Sequence, residues 1–175
     1  MTKPTAVVTG GAGFIGSHMV DLLVERGFAV RAIDNLYGGR RENLAQHARN
    51  PDIVLEERDI RSYAPEDPLF RGARHVFHFA GIGDIVPSIE RPRDYMRANV
   101  DGTLAVLEAS RRAGVKKFVY AASSSCYGAN APVPTPESAP SPASRNSPPR
   151  RGARRSPACS PGPRSPTRPA PPLRV

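Results

Sequence analysis

The sequence predicts an α/β protein built on a doubly wound parallel sheet, and three observations carry that expectation. Short apolar strand signals alternate with helix-period signals from Ala6 to Ala122, the order of parallel strands covered on both faces. The first strand runs through a glycine-rich turn into a helix. The second strand leads into an acidic residue, Asp34. A sheet of five strands in the order 3-2-1-4-5, with helices on both faces, accommodates all three.

The elements follow in order. Ala6-Val7-Val8-Thr9 is the first strand. From Phe14 to Arg26, Ile15, Met19, Leu22 and Leu23 recur at helical spacing, and Gly27 supplies a stop. Ala29 to Ile33 is the second strand and Ile53-Val54-Leu55 the third. After a short helical piece around Leu69 and Phe70, Val76 to Ala80 forms the fourth. A longer helix follows Pro92, with Met96, Val100, Leu104 and Leu107 on one apolar stripe, and ends at Ala113-Gly114. The fifth strand, Phe118 to Ala122, delivers Ser123-Ser124-Ser125 at its carboxyl end, the end at which open α/β sheets bind ligands.

Composition divides the chain. Residues 1–138 hold 17 basic and 16 acidic side chains, whereas residues 139–175 hold 8 arginines and no acid, so the net charge of +9 belongs mostly to the tail. That tail is almost wholly Pro, Arg, Ser, Ala and Gly without periodicity, and disorder is expected there. The five residue types share GC-rich codons and the break falls mid-fold, which points to translation out of frame; a genuine basic tail is the competing reading. Lacking aromatics, the tail offers nucleic acid only salt-sensitive phosphate attraction, so no specific nucleic-acid partner is expected. No apolar run reaches membrane-spanning length and no leader pattern opens the chain, so neither a membrane nor export is expected. Cys126 and Cys159 show no metal-ligand spacing, and the four histidines none either. No metal site is expected, and a reducing cytoplasm fits.

Chemistry enters at Thr9-Gly10-Gly11-Ala12-Gly13-Phe14-Ile15-Gly16. Gly10, Gly13 and Gly16 permit a tight turn, close approach to a pyrophosphate and close helix-strand packing, while the helix start favours an anion. Strand, turn, helix and then Asp34 at the offset of a ribose-binding acid make a dinucleotide-binding, Rossmann-like unit. A carboxylate at Asp34 repels the 2′-phosphate of NADP and so favours NAD; Arg40 and Arg41 read as a solvated helix start.

Further motifs follow: Asp34-Asn35-Leu36, Asp59-Ile60, His78-Phe79-Ala80-Gly81, Asn99-Val100-Asp101-Gly102-Thr103 and Ser123-Ser124-Ser125-Cys126-Tyr127-Gly128. With the glycine motif, they resemble the extended short-chain dehydrogenase/reductases, specifically the NAD-dependent epimerase/dehydratase family, over residues 5 to 139. The resemblance implies backbone amides of Phe14 and Ile15 on the pyrophosphate and Asp34 and Asn35 on the adenosine ribose. It sets Asp59 and Ile60 against the adenine, and Phe79, Ala80 and Gly81 along the cofactor. Asn99 would brace the strand below the site, and Ser123 would be the catalytic serine that hydrogen-bonds the reacting sugar oxygen of a nucleotide-sugar substrate.

In that family a Tyr acts as general base, its pKa lowered by a Lys four residues on. No Tyr or Lys follows Tyr127 in this sequence. The expectation is therefore a NAD-binding half-fold, 1–138, inactive as an epimerase or dehydratase; a catalytically silent NAD-binding sensor or interaction module is the alternative. The family's usual homodimer pairs two helices per subunit, one of which is missing here.

Overall fold

The computed structural model describes residues 2–128 and 131–139. They belong to two units, one reaching Ser123 and one beginning at Ser124. In the first, five strands, β1 (Thr5–Thr9), β2 (Ala29–Asp34), β3 (Ile53–Glu57), β4 (Ala73–His78) and β5 (Lys117–Tyr120), form one sheet in the order β3-β2-β1-β4-β5. Every pairing is parallel. The predicted strand order is the observed one.

β1 lies at the centre because it is apolar on both faces. Val7 joins Ile33, Phe70, Val76, Val106 and Ala109 on one side of the sheet. Ala6 and Val8 point the other way, toward Val20, Leu23, Ala32 and Leu44. The period-2 alternation of a strand thus divides one short segment between two cores.

Helix α1 (Phe14–Glu25) buries only part of the predicted stripe: Leu23 is buried and Met19 packs against the core. Gly16, Ser17, Val20 and Leu23 are buried, while Ile15 and Leu22 are exposed. The small pair Gly16-Ser17 decides this: a Cβ on Gly16 would lie 2.0 Å from Gly10 O, so only the glycine side of the helix can approach the turn.

The long helix has its predicted span but not an uninterrupted α-helical course. It consists of α3 (Pro92–Met96), a wide π-helical turn at Arg97–Asp101 and α4 (Gly102–Arg112). Met96, Val100, Leu104 and Leu107 are all exposed, and the buried side is Gly102, Val106, Ala109 and Ser110. A Cβ on Gly102 would meet Ile60 Cδ1 at 2.6 Å; again the helix rests on its smallest residue. The sequence reading also missed α2 (Ile85–Glu90), a six-residue helix with a proline at its third position, too short for a periodic signal, whose Ile85, Val86 and Ile89 are exposed.

The fourth and fifth strands end earlier than predicted, and Phe79–Gly81 and Ala121–Ser123 leave the sheet as connections, with Ala121 N donating to His78 O at 3.1 Å. In the second unit, Ser124–Tyr127 makes a 3₁₀ turn and Thr135 Oγ1 donates to Pro132 O at 2.7 Å. The expectation of a disordered tail falls, beyond Ala139, outside the described residues. Among the described residues, no helix is long and apolar enough to cross a membrane, and no cluster of His, Cys, Asp and Glu is fit for a metal.

Candidate dinucleotide-binding cleft

The carboxyl ends of β1, β2 and β4 open into a cleft of about 540 Å³, within the range of small-molecule and cofactor sites. Gly10 and Gly13 lie at its floor. Gly10 takes φ 68°, a conformation glycine reaches without steric cost. A Cβ there would sit 2.8 Å from Ala80 N and from Phe79 C. Gly13 N closes the turn on Gly10 O at 3.0 Å, and Gly13 is the N-cap of α1. The side chains of Phe14 and Ile15 are exposed, which leaves their amides, at the helix start, as the groups able to meet an anion.

Asp34 closes β2 and is buried. Its Oδ2 accepts from Ala12 N at 3.0 Å and its Oδ1 from Leu36 N at 2.8 Å. A carboxylate has about four lone-pair sites, so each oxygen keeps one for a ligand hydroxyl. Gly39 presses on this group: a Cβ on it would lie 2.8 Å from both carboxylate oxygens. The loop is pinned by Arg40 N and Asn43 Nδ2, which both donate to Ala12 O at 2.9 and 2.7 Å. Arg40 and Arg41 are exposed, and Arg41 pairs with Glu57.

Asn35 Nδ2 donates to Asp59 Oδ2 at 2.9 Å, joining the ends of β2 and β3. Arg61 grips the same carboxylate through Nε and Nη2, each at 2.8 Å. The Arg61 hydrogen bonds hold Asp59 well below the usual carboxylate range. Ile60 lies at the cleft edge, but its side chain is buried in the core, which leaves its backbone as the part that can face a ligand.

Behind the cleft runs a chain of hydrogen bonds. Ala80 N donates to Thr9 Oγ1 at 3.3 Å, Thr9 Oγ1 lies 2.7 Å from His78 Nδ1, and His78 Nε2 lies 2.9 Å from Thr103 Oγ1. Thr103 Oγ1 itself donates to Asn99 O at 2.7 Å. That last bond fixes the polarity: Thr103 accepts from Nε2–H, and the bare Nδ1 accepts from Thr9 O–H. Burial pushes the His78 pKa down to about 4, which keeps the ring neutral. Asn99 then clamps the peptide at Ile82, its Oδ1 accepting from Ile82 N at 2.8 Å and its Nδ2 donating to Ile82 O at 2.9 Å. Gly81 lies beneath it. The π-helical turn is what aims Asn99 at this segment, and such turns are frequent at functional sites.

The profile of the NAD dependent epimerase/dehydratase family matches residues 6–149, past the composition break at residue 139. This chain belongs to the NAD-dependent epimerase/dehydratase family. It is 40% identical over 138 residues to a UDP-glucose 4-epimerase of Erwinia amylovora, covering 77% of this chain and 41% of that protein. Among solved structures it resembles a UDP-N-acetylglucosamine 4-epimerase of Methanobrevibacter ruminantium, at 34% identity and TM-score 0.70 over 79% of this chain and 44% of that one. It also resembles a dTDP-glucose 4,6-dehydratase of Streptomyces venezuelae solved with NAD, at 33% identity and TM-score 0.69 over 78% and 45%. The chain spans less than half the length of each of these three.

Within the family's frame, the cleft brings together Gly10, Gly13, Asp34, Asn35, Asp59, Ile60, Phe79, Ala80 and Gly81, with Asn99 beneath Gly81. Gly16 serves packing. Ser123, the expected catalytic residue, is exposed, beyond the end of β5, and does not line the cleft. The sequence reading missed Gly39, the Thr9–His78–Thr103 chain, Tyr37, Arg91 and Tyr95. Gly38-Gly39 beside the ribose acid was a signal for the first; His78 was read only as a core residue.

Proposed function

We propose that this chain is the NAD-binding half of a nucleotide-sugar epimerase or dehydratase, with UDP-sugars as the substrate class. The observation that carries the reading is the start of α1: Gly13, its N-cap, lines the cleft, where the helix's free amides favour a pyrophosphate, while Gly10 lets the turn close against Phe79 and Ala80. Asp34 would take the adenosine ribose hydroxyls on its remaining lone pairs, and a 2′-phosphate there would meet a carboxylate already pressed by Gly39. Bound NAD supplies the hydride acceptor and donor for a sugar carbon. The chain's own residues orient it: Asn99 fixes the peptide at Ile82, and the helix start at Gly13 faces the phosphates. Ser123 would hydrogen-bond the reacting oxygen.

Proton transfer is the step this sequence does not supply, since no Tyr or Lys follows Tyr127. The reading therefore combines NAD binding with little or no turnover, in a cytoplasmic setting. A silent NAD-binding module is the second reading, favoured by the cleft being lined entirely between Gly10 and Ala98. Gly13→Val should abolish NAD binding in equilibrium dialysis, and UDP-glucose incubated with the NAD-loaded chain should yield neither its 4-epimer nor a 4-keto sugar by chromatography. Unchanged NAD retention by Gly13→Val would remove the glycine turn from the site, and steady turnover would overturn the proposed inactivity.

A further inference from the structure

Three side chains at the mouth of the cleft have no part in the account so far. Tyr37 leaves the loop after β2, three residues beyond Asp34, and its backbone N donates to Asn35 Oδ1 at 3.1 Å. Arg91 comes from the opposite wall, between α2 and α3, and its Nη2 donates to Tyr37 Oη across the opening at 3.4 Å. Tyr95 follows Arg91 at i+4, on the same side of the helical segment, and also lines the cleft. Its hydroxyl is buried with no hydrogen-bond partner.

The other cleft arginines are committed. Arg61 is held by Asp59; Arg58 is paired with Asp67 at 2.9 Å and lies 4.3 Å over the Tyr63 ring. Among the described residues the hydrogen bond given for the Arg91 side chain is the long one to Tyr37, which a ligand can replace, with Asp94 as an attracting charge in the same cleft. An acid placed like Asp34 marks the ribose of the adenosine half, so Tyr37, Arg91 and Tyr95 stand where its base would lie. A purine offers a flat π-face for a guanidinium and ring nitrogens for a hydroxyl that lacks a partner.

We propose that Arg91, Tyr37 and Tyr95 form a clasp specific for the adenine base: Arg91 exchanges its Tyr37 bond for the face of the ring, and the Tyr95 hydroxyl takes a ring nitrogen. The proposal rests on the dinucleotide reading and adds its specificity for the base. Calorimetric titration of the full chain with NAD, ADP-ribose and nicotinamide mononucleotide tests it. Arg91→Ala and Tyr95→Phe should each weaken NAD and ADP-ribose about tenfold and leave nicotinamide mononucleotide unchanged. Tyr95→Phe removes one oxygen, so it remains informative should Arg91→Ala fail to fold. ADP-ribose affinity within twofold of wild type in Tyr95→Phe and in folded Arg91→Ala overturns the clasp and leaves the dinucleotide reading standing. Equal weakening of all three ligands overturns the assignment to the base. A folded wild-type chain that binds no NAD overturns both.

Discussion

At the scale of single residues, the cleft is set by places where a side chain is forbidden. Gly39→Ala would drive a methyl group to 2.8 Å from both oxygens of Asp34. The same methyl would stand 2.9 Å from the Ala12 backbone, so some stability should be lost along with NAD affinity, which falls about tenfold, or ~1.4 kcal/mol; paired urea melts and NAD titrations check this. His78 carries the acid sensitivity. Its ordinary pKa of 6.5 falls to about 4 in the fold, so the unfolded chain takes a proton that the native ring refuses. This contribution is fully present above pH 6.5 and is lost as the pH falls toward 4, by about 3 kcal/mol. The Asp59 carboxylate, held low by Arg61, adds its own loss below the usual Asp range. A urea midpoint that stays constant from pH 7 to pH 4 would contradict the assignment; His78→Asn should flatten the dependence.

At the scale of elements, the π-helical turn converts a helix into a clamp. Asn99→Ala removes both bonds to Ile82 and leaves a part-buried amide and carbonyl without them, a loss of about 1 kcal/mol. Hydrogen exchange at the Ile82 amide should accelerate well beyond that in β1, and uniform change across the sheet would make Asn99 a general packing residue instead. Strands were legible because Ala6–Thr9 and Ala29–Ile33 are apolar in short blocks. The faces of α1 and α4 were legible only in part, because both helices make their closest approach through glycine and small residues, so a search for large apolar residues finds Leu23 on α1 but the exposed stripe on α4. The π-helical turn has no sequence signature, since its extra residue is paid for by the contact between Asn99 and a loop after β4.

At the scale of the whole molecule, the described fold carries an unusual amount of exposed apolar surface. Val100, Leu104 and Leu107 on the long helical segment are joined by Ile85 at 77% and Ile89 at 76% exposure on α2, and β5 pairs only with β4 among the described strands. Patches of this kind promote association. Light scattering should show self-association that Leu104→Lys with Leu107→Lys reduces, without altering NAD affinity; a monodisperse wild-type chain would contradict this. The cleft itself was largely legible: the glycine turn, Asp34-Asn35, Asp59 and Asn99 are local motifs with a mechanism. Gly39, Tyr37, Arg91 and Tyr95 were not, because they meet only once the loop after β2 and the helices after β4 face each other. The most direct measurement is a calorimetric titration of the full chain with NAD and, separately, NADP. Saturable, one-to-one NAD binding is expected, with NADP binding at least tenfold weaker. Equal affinity for the two, or no heat with NAD from a folded chain, would contradict this.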